Sequence, residues 1–230
     1  MFDFSREAIL SMLLSLPAIL FCLSVHEFAH GWVANKLGDH TARNFGRLTL
    51  NPIQHIDPFG FIALLIAGFG WAKPVPVNPR YFNKPKRDMA LVGLAGPLSN
   101  VLSAFIFAFV YALALKLCNA YFVENFATMT EKAFNLMNAL LQIIGAFVTI
   151  NLGLAVFNMI PIPPLDGSRI LDGFLSSKIY AAYHKYEQYI SIAFIIIIFA
   201  TDILDGVMGT AIGWLLEVVM YIPEKVFGLR

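Results

Sequence analysis

The sequence has few charged residues and almost no cysteine. Only 13% of its 230 residues are Lys, Arg, Asp or Glu, about half the share that is usual in a soluble domain. Its two cysteines, Cys22 and Cys118, both have apolar neighbours, which argues against a disulfide framework or a cysteine-based zinc knuckle. No basic run or stripe is present and the formal net charge is +1, so nucleic acid is not an expected partner.

What the sequence has instead is an excess of apolar residues. Hydrophobic residues make up 58% and aromatic residues 14% of the chain, and the mean hydropathy is +0.70. This composition predicts an integral membrane protein surrounded by a lipid bilayer. The apolar N-terminal run leads into histidine-bearing residues and not into a small-residue cleavage site, so we expect it to be retained as a span.

Three long uncharged runs locate the first membrane spans. The first begins at residue 8, and its helical pattern continues to residues 36–38, where a lysine and a glycine suit a helix end. The second covers residues 89–115, with Asp88 as its helix cap. The third runs from residue 133 to about 160, where three prolines follow and prevent a regular helix from continuing.

Two shorter apolar runs, residues 188–201 and 206–216, provide a fourth and a fifth span, unless one of them lies in the membrane interface. The sequence therefore predicts an all-α polytopic membrane protein with about five transmembrane helices, within a range of four to six. We expect a single membrane-embedded domain over residues 1–230. Its core covers about residues 8–175, and its C-terminal helices cover about residues 186–223.

The segment between the first two spans has an irregular pattern. Residues 58–72 are uncharged but too short to cross a bilayer, and glycines interrupt them, which predicts a re-entrant or interfacial loop. The alternation at residues 47–50 and the Val-Pro-Val sequence at residues 75–77 predict two short strands. We therefore expect a small β-hairpin or sheet near this loop.

The distribution of basic residues predicts the orientation. Eight of them fall in or next to the segment between the first two spans: Lys36, Arg43, Arg47, Lys73, Arg80, Lys84, Lys86 and Arg87. By the positive-inside rule this segment faces the cytoplasm. The expected location is a prokaryotic cell (inner) membrane, with the polar end of the first span on the cytoplasmic side.

Two histidines and a glutamate stand in the first span, where little else is polar. A helix places His26 and His30 on one face, because they are four residues apart, and there they can bind one metal ion. Glu27 is a candidate base beside them, since in this spacing two imidazoles bind zinc while the glutamate takes a proton from water. The alternative is a polar patch in a helix bundle, but ionisable residues within a membrane are costly and usually functional.

A catalytic zinc site needs a third protein ligand. By residue type and position the candidates are His40, His55, His184, Cys22 and the acidic residues near the cytoplasmic face. Cys22 lies one turn before His26 on the same face, but a single helix does not easily wrap three ligands around a tetrahedral ion. A small hydrophobic role is therefore favoured for Cys22.

Further motifs resemble a known family. The sequence Asn-Met-Ile-Pro-Ile-Pro-Pro-Leu-Asp-Gly at residues 158–167 follows the histidine motif on an earlier span. This combination resembles the site-2 protease family of intramembrane zinc metalloproteases, in a compact form without PDZ or CBS domains. The resemblance covers about residues 20–175 and includes residues 51–58 and the Gly-Pro-Leu-Ser-Asn sequence at residues 96–100.

The resemblance implies a role for each matching residue. Asp166 would be the third ligand, beside His26 and His30, of one zinc ion per chain. Glu27 would be the catalytic base, and Asn158 would support the substrate carbonyl or the developing oxyanion. Structural alternatives are a helix cap for Asp166 and an inter-helix hydrogen bond for Asn158.

Two more residues are candidate accessory positions. For Asn100 a packing and hydrogen-bonding role is favoured over a catalytic one. For His55 a loop role, either hydrogen-bonded to Asp57 or simply solvated, stands against a part in gating or an alternative role as metal ligand.

The function that the resemblance implies is hydrolysis of peptide bonds in transmembrane-helix substrates near the cytoplasmic side. An unwound substrate would add as a strand to the edge formed by residues 48–50 and 75–77. The alternative class is a non-proteolytic membrane metal-binding scaffold or transporter. Glu27 argues against it, because no further ligand is needed once Asp166 is counted, and the internal repeats typical of transporters are not found.

Overall fold

The computed structural model describes residues 5–68, 70–201 and 203–229, which form eight α-helices and no β-strand. The helices are α1 (Arg6–Lys36), α2 (Thr41–Asn44), α3 (Pro58–Ala67), α4 (Pro85–Asn125), α5 (Glu131–Asn158), α6 (Asp166–Asp172), α7 (Ser177–Ala200) and α8 (Ile203–Phe227). The predicted all-α fold is confirmed.

Four helices in the described part of the chain are long and apolar enough to cross a bilayer, namely α1, α4, α5 and α8. This confirms a polytopic membrane protein, at the lower end of the predicted range. The predicted fourth span, residues 188–201, is the apolar half of α7. That helix does not reach the hydropathy of a span, because its first half contains polar residues such as Lys185 and Glu187.

The predicted end of the first helix is found in the structure, but the predicted start of the second span is not. α1 ends at Lys36, and the chain turns at Gly38, whose φ of 107° favours glycine. α4 begins at Pro85, earlier than predicted, because proline suits the first turn of a helix. Asp88 is therefore not the cap residue. It lies inside the first turn, and its carboxylate accepts a hydrogen bond of 3.0 Å from the backbone N–H of Lys84.

α4 is the central helix of the bundle and packs against α1, α5, α6 and α8. Three alanines one turn apart, Ala104, Ala108 and Ala112, are fully buried on its inner face. They contact a core that includes Val148 and Leu152 of α5. Small side chains at this spacing let neighbouring helices approach closely in a membrane, so α4 can hold several elements in register.

The two arms of the chain that flank α3 meet at one point. Asp57 caps α3 by accepting a hydrogen bond of 2.9 Å from the N–H of Gly60. Gly60 also lets the two arms meet, because a Cβ there would lie 2.2 Å from the carbonyl oxygen of Trp71. The arms close with an antiparallel bridge between Ile56 and Ala72. We call residues 56–72 the re-entrant loop, after the re-entrant or interfacial loop predicted for residues 58–72.

The predicted β-hairpin is not formed in the described residues. Residues 47–50 consist of bends and irregular backbone, and residues 75–77 are irregular as well. Pro74 and Pro76 have no N–H to give to a strand ladder. The one N–H between them, that of Val75, is bound by a side chain of α1.

Candidate metal centre

Three side chains from two distant parts of the chain meet inside the bundle. The Nε2 atoms of His26 and His30 are 3.0 Å apart. The Oδ2 atom of Asp166 lies 3.0 Å from the first and 3.1 Å from the second. Both histidines are buried and Asp166 is mostly buried. Within the described residues this is the one group of His, Cys, Asp and Glu side chains that could hold a metal ion.

The other nitrogen of each imidazole determines its tautomer. Nδ1 of His26 lies 2.6 Å from Oδ1 of Asn100, and Nδ1 of His30 lies 2.7 Å from the carbonyl oxygen of Val92. Both oxygens can only accept, so each Nδ1 carries the proton. In a neutral imidazole the Nε2 atom is then unprotonated and carries a lone pair, which is the form that binds a metal.

The carboxyl group of Asp166 supplies the third lone pair. An aspartate side chain ordinarily ionises well below neutral pH. The group is therefore a carboxylate at neutral pH. Three lone pairs at about 3 Å repel one another unless a cation lies between them.

A zinc ion fits this donor set. Ligand atoms about 2.0 Å from a tetrahedral zinc ion are about 3.3 Å from one another, close to the separations of 3.0 to 3.1 Å between the three atoms. Two imidazoles and one carboxylate are a ligand set of catalytic zinc sites, which keep a fourth position open. The residues present therefore suit zinc.

Asp166 reaches the histidines because α6 folds back tightly after α5. Asp166 is the first residue of α6, and Leu165 occupies the cap position, so the cap role considered for Asp166 is not seen. The next residue must be glycine. A Cβ on Gly167 would lie 2.4 Å from the carbonyl oxygen of Ile160 and 2.5 Å from that of Met159.

One face of α4 supports all three side chains. Val92 and Asn100 accept the Nδ1 protons of the two histidines. Gly93 lies against α6, since a Cβ there would be 3.0 Å from the backbone oxygen of Asp166. A Cβ on Gly96 would lie 2.5 Å from Nε2 of His30. The positions at 92, 93, 96 and 100 follow the helical repeat and form a platform for the cluster.

Asn100 is itself oriented by a second asparagine. Its Nδ2 donates to Oδ1 of Asn151 on α5 at 2.9 Å and to the backbone oxygen of Cys22 at 3.2 Å. Asn151 in turn donates to the carbonyl oxygen of Phe147 at 2.7 Å. Both asparagines are completely buried. The hydrogen-bonding role expected for Asn100 is thus present, and Asn151 is a contributor that sequence motifs did not single out.

Glu27 is half-buried and touches the segment that follows the re-entrant loop. We call residues 73–78 the strap. The backbone N–H of Val75 donates to Oε2 of Glu27 at 2.7 Å. The strap is anchored on one side by the buried Arg47, which donates to the carbonyl oxygen of Lys73 at 2.6 Å. On the other side the N–H of Asn78 donates to Asp39 at 2.6 Å.

The remaining predicted residues lie outside the cluster. Asn158 is the last residue of α5, and its amide donates to the carbonyl oxygen of Leu154 at 3.1 Å. His55 is buried and donates from Nε2 to the carbonyl oxygen of Thr49 at 2.8 Å. It lines a small apolar pocket between α1 and the re-entrant loop.

The other candidates for the third ligand have different partners. His40 pairs with Asn35 at 2.7 Å. His184 lies between Asp172 and Glu187, at 3.0 and 2.7 Å. Cys22 lies beside Asn100, whose amide donates to its buried thiol at 3.3 Å.

The fold and the cluster together define a class of protein. A bundle of apolar helices encloses two histidines of a His-Glu-x-x-His helix and one distant aspartate, which is the arrangement of a membrane-embedded metallopeptidase. The family model described as peptidase family M50 matches residues 15–199. The chain belongs to this family, and the resemblance to the site-2 protease family is confirmed.

Similar proteins come from distant organisms. A Bacillus subtilis protein, YwhC, is 43% identical over 179 residues, which are 78% of this chain and 77% of the relative. Rip2 of Mycobacterium tuberculosis is 30% identical over 86% of this chain and 71% of its own. MJ0611 of Methanocaldococcus jannaschii is 32% identical over 74% of this chain and 75% of its own. Each is named "putative zinc metalloprotease". No solved structure gives a significant match.

Proposed function

We propose that this chain is an intramembrane zinc metalloprotease that hydrolyses peptide bonds of transmembrane-helix substrates. The observation that carries the proposal is the convergence of two imidazole lone pairs and one carboxylate oxygen, 3.0 to 3.1 Å apart, within apolar helices. Membership of a peptidase family and the names of the relatives support it. The whole chain, residues 1–230, acts as one membrane-embedded domain.

In this proposal His26, His30 and Asp166 would hold one zinc ion per chain, whose chemistry would be that of a Lewis acid toward the scissile carbonyl and toward water. Glu27 takes a proton from the attacking water and passes it to the leaving amine. One side-chain N–H of Asn158 donates to the carbonyl oxygen of Leu154 in its own helix. Its second N–H donates to the substrate oxygen on which negative charge develops.

The reaction takes place near the cytoplasmic side. The cluster lies toward the end of α1 that continues into the segment rich in lysine and arginine. By the positive-inside rule that segment is cytoplasmic. The substrate is thus cut where its transmembrane helix approaches the cytoplasm of a prokaryotic cell.

Removal of zinc is expected to abolish cleavage by the purified protein in detergent. Metal analysis should find one zinc ion per chain, and a chelator should remove it together with the cleavage of a single-span substrate. Zinc added back should restore both. Asp166→Ala should lower the zinc content of the protein, because two imidazoles remain from a three-ligand site. Full cleavage by metal-free protein would refute the proposal.

The strap has a defined part in this reaction. The N–H of Val75 holds Oε2 of Glu27, which leaves the other oxygen to accept the proton from water. Arg47 keeps the strap in this place through the carbonyl of Lys73. A base that must take a proton needs such positioning, since a shift of about 1 Å can cost about 100-fold in rate.

Arg47→Met is therefore expected to slow cleavage by about 10- to 100-fold while zinc content stays unchanged. The turnover rate and the zinc content of the same preparation are the measurements. Arg43→Met is the matched control, because Arg43 is exposed on α2, and this variant should cleave normally. Loss of zinc in Arg47→Met, or normal cleavage, would contradict this role of the strap.

A further inference from the structure

We propose that Asn151 is a positioning residue for the metal centre. Through Asn100 it determines which ring nitrogen of His26 carries the proton. This inference rests on the role of His26 as a metal ligand proposed above. Asn151 lies on α5 and completes a series of hydrogen bonds that crosses three helices.

The donor and acceptor directions in this series of hydrogen bonds are set by the bond between Asn151 and Phe147. The carbonyl oxygen of Phe147 can only accept, so the amide nitrogen of Asn151 must face it, at 2.7 Å. The oxygen of Asn151 then faces Asn100 and requires the amide nitrogen of Asn100 on that side, at 2.9 Å. The oxygen of Asn100 consequently points at Nδ1 of His26, at 2.6 Å.

Reversal of the Asn100 amide would change the chemistry of His26. An amide N–H directed at Nδ1 would require a lone pair there, and the proton of the neutral ring would move to Nε2. Nε2 is the atom that faces His30 and Asp166. A protonated Nε2 cannot bind a metal ion. Asn151 excludes this arrangement because its own orientation is fixed.

The backbone oxygen of Cys22 also accepts from Asn100, at 3.2 Å. It is the longer of the two bonds to oxygen that orient this amide. Removal of Asn151 should therefore weaken the preference of Asn100 for one orientation without abolishing it. The expected outcome is a mixture of His26 tautomers and a lower affinity for zinc.

Asn151→Leu tests the proposal, since leucine fills a similar volume and has no hydrogen-bonding group. Zinc affinity, measured by competition with a chelator, should fall about 10- to 100-fold, as for other residues that orient metal ligands. In the metal-free protein labelled with ¹⁵N-histidine, the His26 ring should show a second tautomer by NMR. Its signal is assigned by its absence in His26→Gln.

Two variants separate this role from packing. Ser103→Ala removes a buried hydroxyl that donates only within α4, at 2.8 Å to the oxygen of Ser99, and should bind zinc like the wild type. Asn100→Asp combined with Asn151→Leu should bind zinc more tightly than Asn151→Leu alone. A carboxylate presents an acceptor to His26 in either orientation and is a common partner of metal-bound histidine.

The outcomes are distinct. Wild-type affinity and a single His26 tautomer in Asn151→Leu would overturn the role of Asn151 and leave the metal centre intact. Failure of the double variant to recover affinity would assign Asn151 to packing and would also overturn it. Absence of zinc binding by the wild-type protein would refute the proposed metal centre itself.

Discussion

Replacement of Glu27 by glutamine is expected to abolish cleavage of a single-span membrane substrate while zinc remains bound. The amide oxygen of glutamine can still accept the hydrogen bond from Val75, which is 2.7 Å long in the wild type. The three proposed metal ligands are unchanged. Glutamine cannot take a proton from water, however, and loss of a general base costs about 100- to 10,000-fold in rate.

The measurement is the cleavage of a co-expressed substrate, with metal analysis of the purified variant. Glu124→Gln is the matched control, because Glu124 is an exposed residue near the end of α4, and it should cleave normally. Fragment masses from the wild type should place the cut near the cytoplasmic end of the substrate helix. Unchanged cleavage by Glu27→Gln would remove Glu27 from the reaction.

The same experiment separates the two classes of function. A wild-type protein that binds zinc but cleaves no substrate would favour the non-proteolytic scaffold or transporter. Glu27 would then serve only to hold the strap through Val75. Loss of cleavage in Glu27→Gln with zinc retained is expected of a protease and has no counterpart in a scaffold.

The features that the sequence could predict are those with local geometry. His26 and His30 meet because any regular helix brings residues four apart to one face. Long apolar runs predict the spans because a bilayer requires about 20 such residues. Asp166 is far from the two histidines in the sequence, so helical periodicity cannot place it beside them. Its role as a ligand was implied by the resemblance to a family.

The features that the sequence did not predict depend on packing between distant segments. The short alternating stretch at residues 47–50 is compatible with a strand or a loop. In the structure it is a loop, and the buried side chain of Arg47 donates a hydrogen bond to the strap. The link of Asn151 to His26 requires α1, α4 and α5 to meet at one level. The partners of Gly96, which are His26 and His30, likewise depend on how α4 packs against α1.

Those partners make Gly96→Ala the second large expected effect. A Cβ on Gly96 would lie 2.5 Å from Nε2 of His30 and 2.6 Å from Cε1 of both His26 and His30. These separations are well inside van der Waals contact. The imidazoles cannot simply move away, because α4 itself holds their Nδ1 atoms through Asn100 and Val92, at 2.6 and 2.7 Å.

Gly96→Ala should therefore lose about 100-fold or more in zinc affinity and all measurable cleavage, since the methyl group displaces the two Nε2 atoms from their common point. Gly153→Ala is the matched control, because a Cβ there would lie 3.9 Å from its nearest neighbour, Ile212. It should keep zinc and gain about 0.5 to 1 kcal/mol in stability, since alanine favours a helix more than glycine does. Wild-type zinc binding by Gly96→Ala would show that α4 does not press against the histidines, and the platform assigned to this helix would have to be abandoned.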